Sequence, residues 1–243
     1  MVLGQVGYRE VIMDLVMDLV MDLTALKTDR IIIVGELLGE YDKLIGLLYQ
    51  QKFCFNDTLI FTGNFIDTDT ALEPTNEKQM NAITFIRNTI NTYSVKGKNE
   101  FSFLRKIEES GDPQWLSNNS KRDEIVKFID ELPLIIKISD YIYIVNAGVQ
   151  PNKPLTEQDP EVFYSISEYD PDSRFYQFEN PSHKSWYDFD MYEGERLLKF
   201  CFGGSDLNQI EVPAGYCLGR TAGKQLKVLV FRKDYPNPII LQA

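Results

Sequence analysis

Short apolar runs that close on glycine, separated by stretches of helical periodicity, constrain this chain more than any other feature of its sequence. Ile31-Ile32-Ile33-Val34 ends at Gly35, and residues 57–62 end at Gly63. Between them, residues 40–53 place Leu44, Leu47 and Leu48 at helical spacing. A polar loop leads to a second expected helix over 76–91, and residues 93–95 form a short third run before Gly97. Four to six apolar, β-branched residues bounded by turn signals read as a buried strand. The resulting β-α-β-α-β order predicts an α/β fold with parallel strands and right-handed crossovers. In such folds the loops leaving the strand ends carry ligand sites.

The pattern continues with helices expected over 99–110 and 121–132. Strands over 134–138 and 141–145 are joined at hairpin spacing by Ser139-Asp140, and further strands are expected at 197–202, 226–231 and 239–241. The region 151–195 is polar and aromatic, with Asp-Pro and Asn-Pro turns, and reads as an insertion or a binding surface. Residues 30–243 are expected to form one domain, large enough to bury roughly 70% of its extended surface. Residues 1–29 form a separate N-terminal element in which Met-Asp-Leu-Val repeats from residue 11 to 23. Asp14, Asp18 and Asp22 are four apart, so a helix would carry them on one stripe, with apolar residues covering the remaining faces. Such a helix either packs into its own domain or makes an oligomer or partner contact through the adaptable Met13, Met17 and Met21. Its acidic stripe disfavours a membrane surface.

The formal net charge is −11, from 36 acidic and 25 basic residues, and no basic cluster stands out. Nucleic acid and anionic membrane are disfavoured as direct partners. Cys54, Cys201 and Cys217 cannot all pair and show no CxxC spacing, which predicts free thiols in a reducing, intracellular, cytoplasmic setting. No apolar segment is long enough to span a bilayer, and no signal peptide is expected. The chain has one histidine, His183, in the polar region, where a solvent-exposed or locally bonded role is expected. That single imidazole sharply limits metal ligation and acid–base chemistry. Trp186, with Tyr187, Phe189 and Tyr192, either caps the core or forms a partner-binding patch.

Five segments stand in order at the ends of the expected strands: Gly35-Glu36-Leu37-Leu38-Gly39, Gly63-Asn64-Phe65-Ile66-Asp67, Gly97-Lys98-Asn99-Glu100, Asn146-Ala147-Gly148-Val149 and Phe202-Gly203-Gly204-Ser205. In this order they resemble the calcineurin-like metallophosphoesterases, in the branch of phosphoprotein phosphatases and diadenosine-tetraphosphate hydrolases. That family's blocks read GDxHG, GDxxDRG, GNHE, HAG or HGG, and a late GH. Val212-Pro213-Ala214-Gly215-Tyr216-Cys217 is similar to the strand and loop near the family's C-terminus. The resemblance covers about residues 30–232. It implies a β-sandwich of two mixed sheets flanked by helices, here with the N-terminal helix added.

The resemblance also implies where chemistry should sit. The family binds two metal ions through six ligands, and the ions activate a bridging hydroxide. The matching positions here are Glu36, Leu38, Asn64, Lys98, Asn146 and Gly204, and all six differ from the family's ligands. The general-acid histidine is matched by Asn99 and the phosphate-gripping arginine by Thr68. Asp67 survives at the position that orients that histidine, and Tyr216 matches a tyrosine near the site. Leu38 and Gly204 offer no donor, and neutral amides alone are poor ligands for a first-row metal. No metal, cofactor or catalytic residue is therefore expected. Lys98 is expected to occupy the space of a metal, with Glu36 and Asp67 as counter-charges. The expected function is an inactive pseudophosphatase acting as a scaffold or interaction subunit, with a protein partner or a second copy. Two alternatives stay open. One is a hydrolase with a rebuilt single-metal site, and the other is a nucleotide or phosphate sensor using Lys96, Lys98 and Arg220.

Overall fold

The computed structural model describes residues 19–67, 77–117, 120–151, 153–166, 168–169, 176–177, 184–193, 196–204, 207, 209–219, 225–233 and 235–242. Met13, Met17, Thr68, His183, Ser205 and Arg220 lie outside these residues.

The strands in chain order begin with β1 (Val20–Asp22), β2 (Arg30–Val34), β3 (Asp57–Phe61), β4 (Thr92–Ser94), β5 (Ile135–Lys137) and β6 (Ile142–Val145). Then come β7 (Glu168–Tyr169), β8 (Tyr176–Gln177), β9 (Lys184–Ser185), β10 (Met191–Glu193) and β11 (Arg196–Phe202). The last four are β12 (Glu211–Val212), β13 (Gly215–Cys217), β14 (Lys227–Arg232) and β15 (Tyr235–Gln242). The helices are α1 (Tyr41–Gln50), α2 (Glu77–Asn88), α3 (Lys98–Ser110), α4 (Gln114–Ser117), α5 (Arg122–Asp130) and α6 (Val162–Ser165).

The smaller of two mixed sheets has the order β15-β14-β2-β3-β4, in which β2, β3 and β4 are parallel. The larger runs β1-β5-β6-β11-β13-β12, with β10 also on β11; its β6, β11 and β13 are parallel to one another. A small antiparallel sheet is built from β7, β8 and β9. The expected hairpin is present as the antiparallel pair β5–β6.

The alternation of each strand sorts its side chains into three apolar layers. Ile33, Ile60, Ile136, Ile144, Cys201 and Leu229 face between the two large sheets. Ile32, Val34, Leu59, Phe61, Val228 and Val230 point outward from the smaller sheet, where α1, α2, α3 and α5 cover them. Those helices present buried residues at helical spacing, such as Leu44, Leu47 and Leu48 in α1 and Ile125 and Ile129 in α5. Tyr143, Val145, Phe200 and Phe202 point outward from the larger sheet. There Val162, Phe163, Ile166, Trp186 and Met191, all from the polar and aromatic region, form the cover. The expected architecture of two mixed sheets flanked by helices is present.

The expected N-terminal helix fails where the described residues reach it. Val20, Met21 and Asp22 are the strand β1, parallel to β5, and not the end of a helix. The open edge of β5 supplies hydrogen bonds: the Leu134 and Ile135 N–H groups donate to the Leu19 carbonyl at 3.0 and 3.2 Å, and the Leu23 N–H donates to the Lys137 carbonyl at 2.8 Å. A four-residue repeat fits a strand as well as a helix, because four is also a multiple of two. Met21 therefore packs into the layer between the sheets. Trp186 is also no surface patch; it is fully buried against Phe200, Phe202 and Gly148.

Candidate functional site

The five loops singled out in the sequence leave the C-terminal ends of β2, β3, β4, β6 and β11, and they meet where the two large sheets approach each other. Close backbone approach fixes the residue type at several points. A Cβ on Gly63, whose φ is +81°, would lie 2.9 Å from the Gly97 nitrogen. A Cβ on Gly203 would lie 2.9 Å from Glu36 Cγ and 3.0 Å from Thr62 Oγ1. Only glycine lets these loops close on one another.

Asn64 is the centre of the site. It is buried and left-handed, with φ +51°, a conformation that asparagine tolerates better than most residues. Its Nδ2 donates to Glu36 Oε1 at 2.5 Å, and its Oδ1 accepts from the Asn99 N–H at 3.0 Å. Asn146 works in parallel: Nδ2 donates to the Thr62 carbonyl at 2.8 Å, and Oδ1 accepts from the Lys98 N–H at 3.1 Å. Helix α3 begins after Gly97, which has no capping side chain. Two asparagines from other loops thus satisfy N–H groups that the start of a helix leaves open. The Gly203 N–H donates to the Asn146 carbonyl at 2.8 Å, and the Leu38 N–H donates to the Asn64 carbonyl at 3.0 Å. Each amide therefore ties three loops.

Beneath them lies Glu100, fully buried. Its carboxylate accepts from the N–H groups of Asn64 (2.8 Å), Gly97 (2.8 Å) and Ile66 (3.1 Å). Burial pushes its pKa up to about 7, against the pull of those three donors. Sequence reasoning assigned no role to Glu100. The available signal was an acidic residue at the third helical position behind a glycine cap, which marks a capping arrangement. Lys227 was also missed; its ammonium donates to the carbonyls of Leu207 and Gly219, both at 2.6 Å. The Lys227 carbonyl in turn accepts from the Gly35 N–H.

The other expected positions divide plainly. Asn99 is at the site, with Nδ2 donating to the Ile66 carbonyl at 2.8 Å. Asp67 flanks it, and its backbone exchanges hydrogen bonds with the Gln79 amide. Leu38 (φ +49°) and Gly204 (φ +73°) shape their loops and bring no donor side chain. Tyr216 is half-buried and packs edge-on against Phe231, with ring centroids 6.3 Å apart. Burial raises its pKa.

Lys98 departs from expectation. Its side chain is exposed, shares an outer groove with Arg105 and Glu161, and makes no ion pair with Glu36 or Asp67. As the first residue of α3, it keeps its N–H in the site and its charge in water, avoiding the cost of burying a cation. The amide of Asn64 takes the place beside Glu36 that Lys98 was expected to fill. Lys96 also turns away, donating to the Asp130 side chain at 3.3 Å with its ammonium 4.9 Å from the centre of the Phe101 ring.

The resemblance implies two divalent cations at this place. Glu36 supplies one carboxylate, and Asn64 and Asn146 supply amide oxygens already aimed at helix N–H groups. Among the described residues no three His, Cys, Asp or Glu side chains are grouped so that they could hold a metal ion. This donor set does not fit a dinuclear centre, because two dications need several anionic or imidazole ligands.

No protein-family model matches the chain, and no curated protein matches it. Solved structures do. One, assigned as a diadenosine tetraphosphatase, aligns with a TM-score of 0.73 at 22% identity, over 92% of this chain and 96% of its own. A protein serine/threonine phosphatase from Saccharomyces cerevisiae, with similarity to human phosphatase PP5, aligns with a TM-score of 0.57 at 13% identity, over 97% of this chain and 89% of its own. Among the described residues no helix is long and apolar enough to cross a membrane. The chain has the fold of the metallophosphoesterases.

Proposed function

We propose that this chain is a catalytically inactive, phosphatase-like protein that uses the fold as a binding or structural subunit. One observation carries the reading. At the matched ligand positions, Asn64 and Asn146 spend their oxygens on the start of α3 and their amide N–H groups on Glu36 and Thr62. A metal would have to break those bonds and would gain only neutral ligands and Glu36 in return. The acid, the phosphate-gripping arginine and the imidazoles of the family are likewise replaced, so proton delivery and phosphate binding have no evident agents. A protein partner or a second copy is the proposed counterpart, in an intracellular, reducing compartment suited to the free thiols of Cys54, Cys201 and Cys217.

The activities named for the two similar structures set the assay. Purified protein, analysed for metal and incubated with diadenosine tetraphosphate and with a generic phosphomonoester in the presence of Mn²⁺ or Zn²⁺, is expected to hold far less than one metal per chain and to turn over neither substrate. Stoichiometric metal with turnover would overturn the proposal in favour of a rebuilt single-metal site on Glu36. Thermal stabilisation by nucleotides without turnover would favour the sensor instead.

A further inference from the structure

We propose that β5 can be paired by either of two successive units of the N-terminal repeat, 16–19 or 20–23, so that the edge of the larger sheet is a ratchet with a four-residue step. The two units are identical: Val16-Met17-Asp18-Leu19 and Val20-Met21-Asp22-Leu23, each preceded by leucine (Leu15 or Leu19). In the structure the second unit is the strand, with Val20 opposite Ile135, Met21 opposite Ile136 and Asp22 opposite Lys137.

Register in a sheet is normally held because a one-residue slip turns every side chain to the wrong face. A four-residue slip keeps every face. Val16 would replace Val20 against the outer layer, and Met17 and Leu19 would replace Met21 and Leu23 between the sheets. The three flanking backbone bonds, from Leu134 and Ile135 to Leu19 and from Leu23 to Lys137, do not depend on residue type. β1 is also an edge strand, paired only with β5 among the described residues, so no second neighbour fixes it.

Thr24 distinguishes the two registers. Its N–H and its hydroxyl both donate to Asp22 Oδ1, at 2.9 and 2.7 Å. After the slip the residue two places beyond the aspartate is Val20, which keeps the N–H and lacks the hydroxyl. One such hydrogen bond weights an equilibrium by roughly fivefold. The slip also lengthens the connection to β2 from the seven residues 23–29 by four, to eleven, which weights it by about twofold more. The observed register is thus expected to exceed the slipped one by about tenfold.

The test is disulfide trapping in the full chain carrying Cys54→Ser, in a glutathione buffer. Asp22→Cys with Lys137→Cys is the reference and reports the observed register. Asp18→Cys with Lys137→Cys is expected to close within the monomer about tenfold less favourably, and Thr24→Val is expected to narrow that gap to about twofold. Met17→Cys with Lys137→Cys is the off-register control and is expected to close far less than the Asp18 pair. Equal closure at 17 and 18 would mean random collision and would overturn the proposal. So would absence of the Asp18 bridge, insensitivity to Thr24→Val, or a bridge that joins two chains.

Discussion

Asn64 and Glu100 show what a single side chain does in this site. In Asn64→Asp the oxygen that caps α3 is kept, but the donor facing Glu36 becomes a second carboxylate at the same 2.5 Å separation. Two facing carboxylates cannot both be ionised cheaply, so one holds a proton and the penalty grows with pH. The substitution is expected to cost about 2–4 kcal/mol at pH 8, of the order of a broken buried pair, and much less at pH 5. Urea unfolding at the two pH values checks this; an equal loss at both would mean that Glu36 and residue 64 do not interact as drawn. Glu100 works in the opposite sense to a salt-bridged acid. Its folded-state pKa of about 7 lies above its ordinary 4.5, so the native state binds the proton more tightly than the unfolded chain does. The stability this gives is full below about pH 4.5 and is lost as pH rises through about 7, a span of about 3 kcal/mol. Glu100→Gln is expected to flatten that slope. It also leaves the Ile66 N–H facing an amide N–H₂, at a cost of about 1–3 kcal/mol at pH 5. A variant with an unchanged slope between pH 5 and 8 would show that another group titrates.

At the scale of elements, the strands and helices of the smaller sheet were legible because two periodicities never competed there. Residues 31–34 and 57–61 are too short and too β-branched for helices, and Leu44, Leu47 and Leu48 are too regular for a strand. The N-terminal repeat was misread at residues 20–22 because its period satisfies both patterns, and the choice was made by the open edge of β5, far away in sequence. The five loops were legible from their glycines. The contacts of their side chains were not: Lys98 was expected inside the site from its place in the motif, whereas the direction of α3 places it outside. Trp186 shows the same limit. Composition marked the aromatic stretch 186–192, but only the fold reveals that Gly148, at the end of β6, leaves the space its ring fills. A Cβ on Gly148 would stand 2.2 Å from Trp186 Cε2. Gly148→Ala is therefore expected to displace the indole and to destabilise by about 1–3 kcal/mol. Trp186→Ala is expected to cost about 3–5 kcal/mol, whereas Tyr192→Ala, at a residue 60% exposed, should stay within about 0.5 kcal/mol. Denaturant midpoints would order the three; a mild Trp186→Ala would place the indole at a surface and not in the core.

At the scale of the molecule, the site is a junction between two sheets, and the junction is made by the chain itself. Asn146 leaves the larger sheet to donate to the Thr62 carbonyl behind β3 of the smaller one. Within the larger sheet the Gly203 N–H ties the end of β11 to Asn146 after β6, and within the smaller one the Gly35 N–H ties the end of β2 to Lys227 of β14. The two side-chain hydrogen bonds of Asn146, to the Thr62 carbonyl and from the Lys98 N–H, are what join the two sheets here. β1 belongs to the same assembly, because its side chains reach both the layer between the sheets and the outer layer of the larger sheet. That placement separates two roles of the N-terminal segment that a single truncation would confuse. Removal of residues 1–26 takes away β1 and exposes β5 and its apolar neighbours, at a cost of about 2–4 kcal/mol. For a chain of this length that is a fall in Tm of roughly 5–15 °C. Removal of residues 1–18 leaves β1 in place and is expected to change Tm by less than about 2 °C. Loss of self-association or partner binding in the shorter truncation, seen by size-exclusion chromatography, would assign docking to the repeat itself. An unchanged Tm in the longer truncation would show that β1 adds nothing to the sheet. If both truncations keep the assembly, the contact lies on the phosphatase-like body, and the repeat serves only to supply its edge strand.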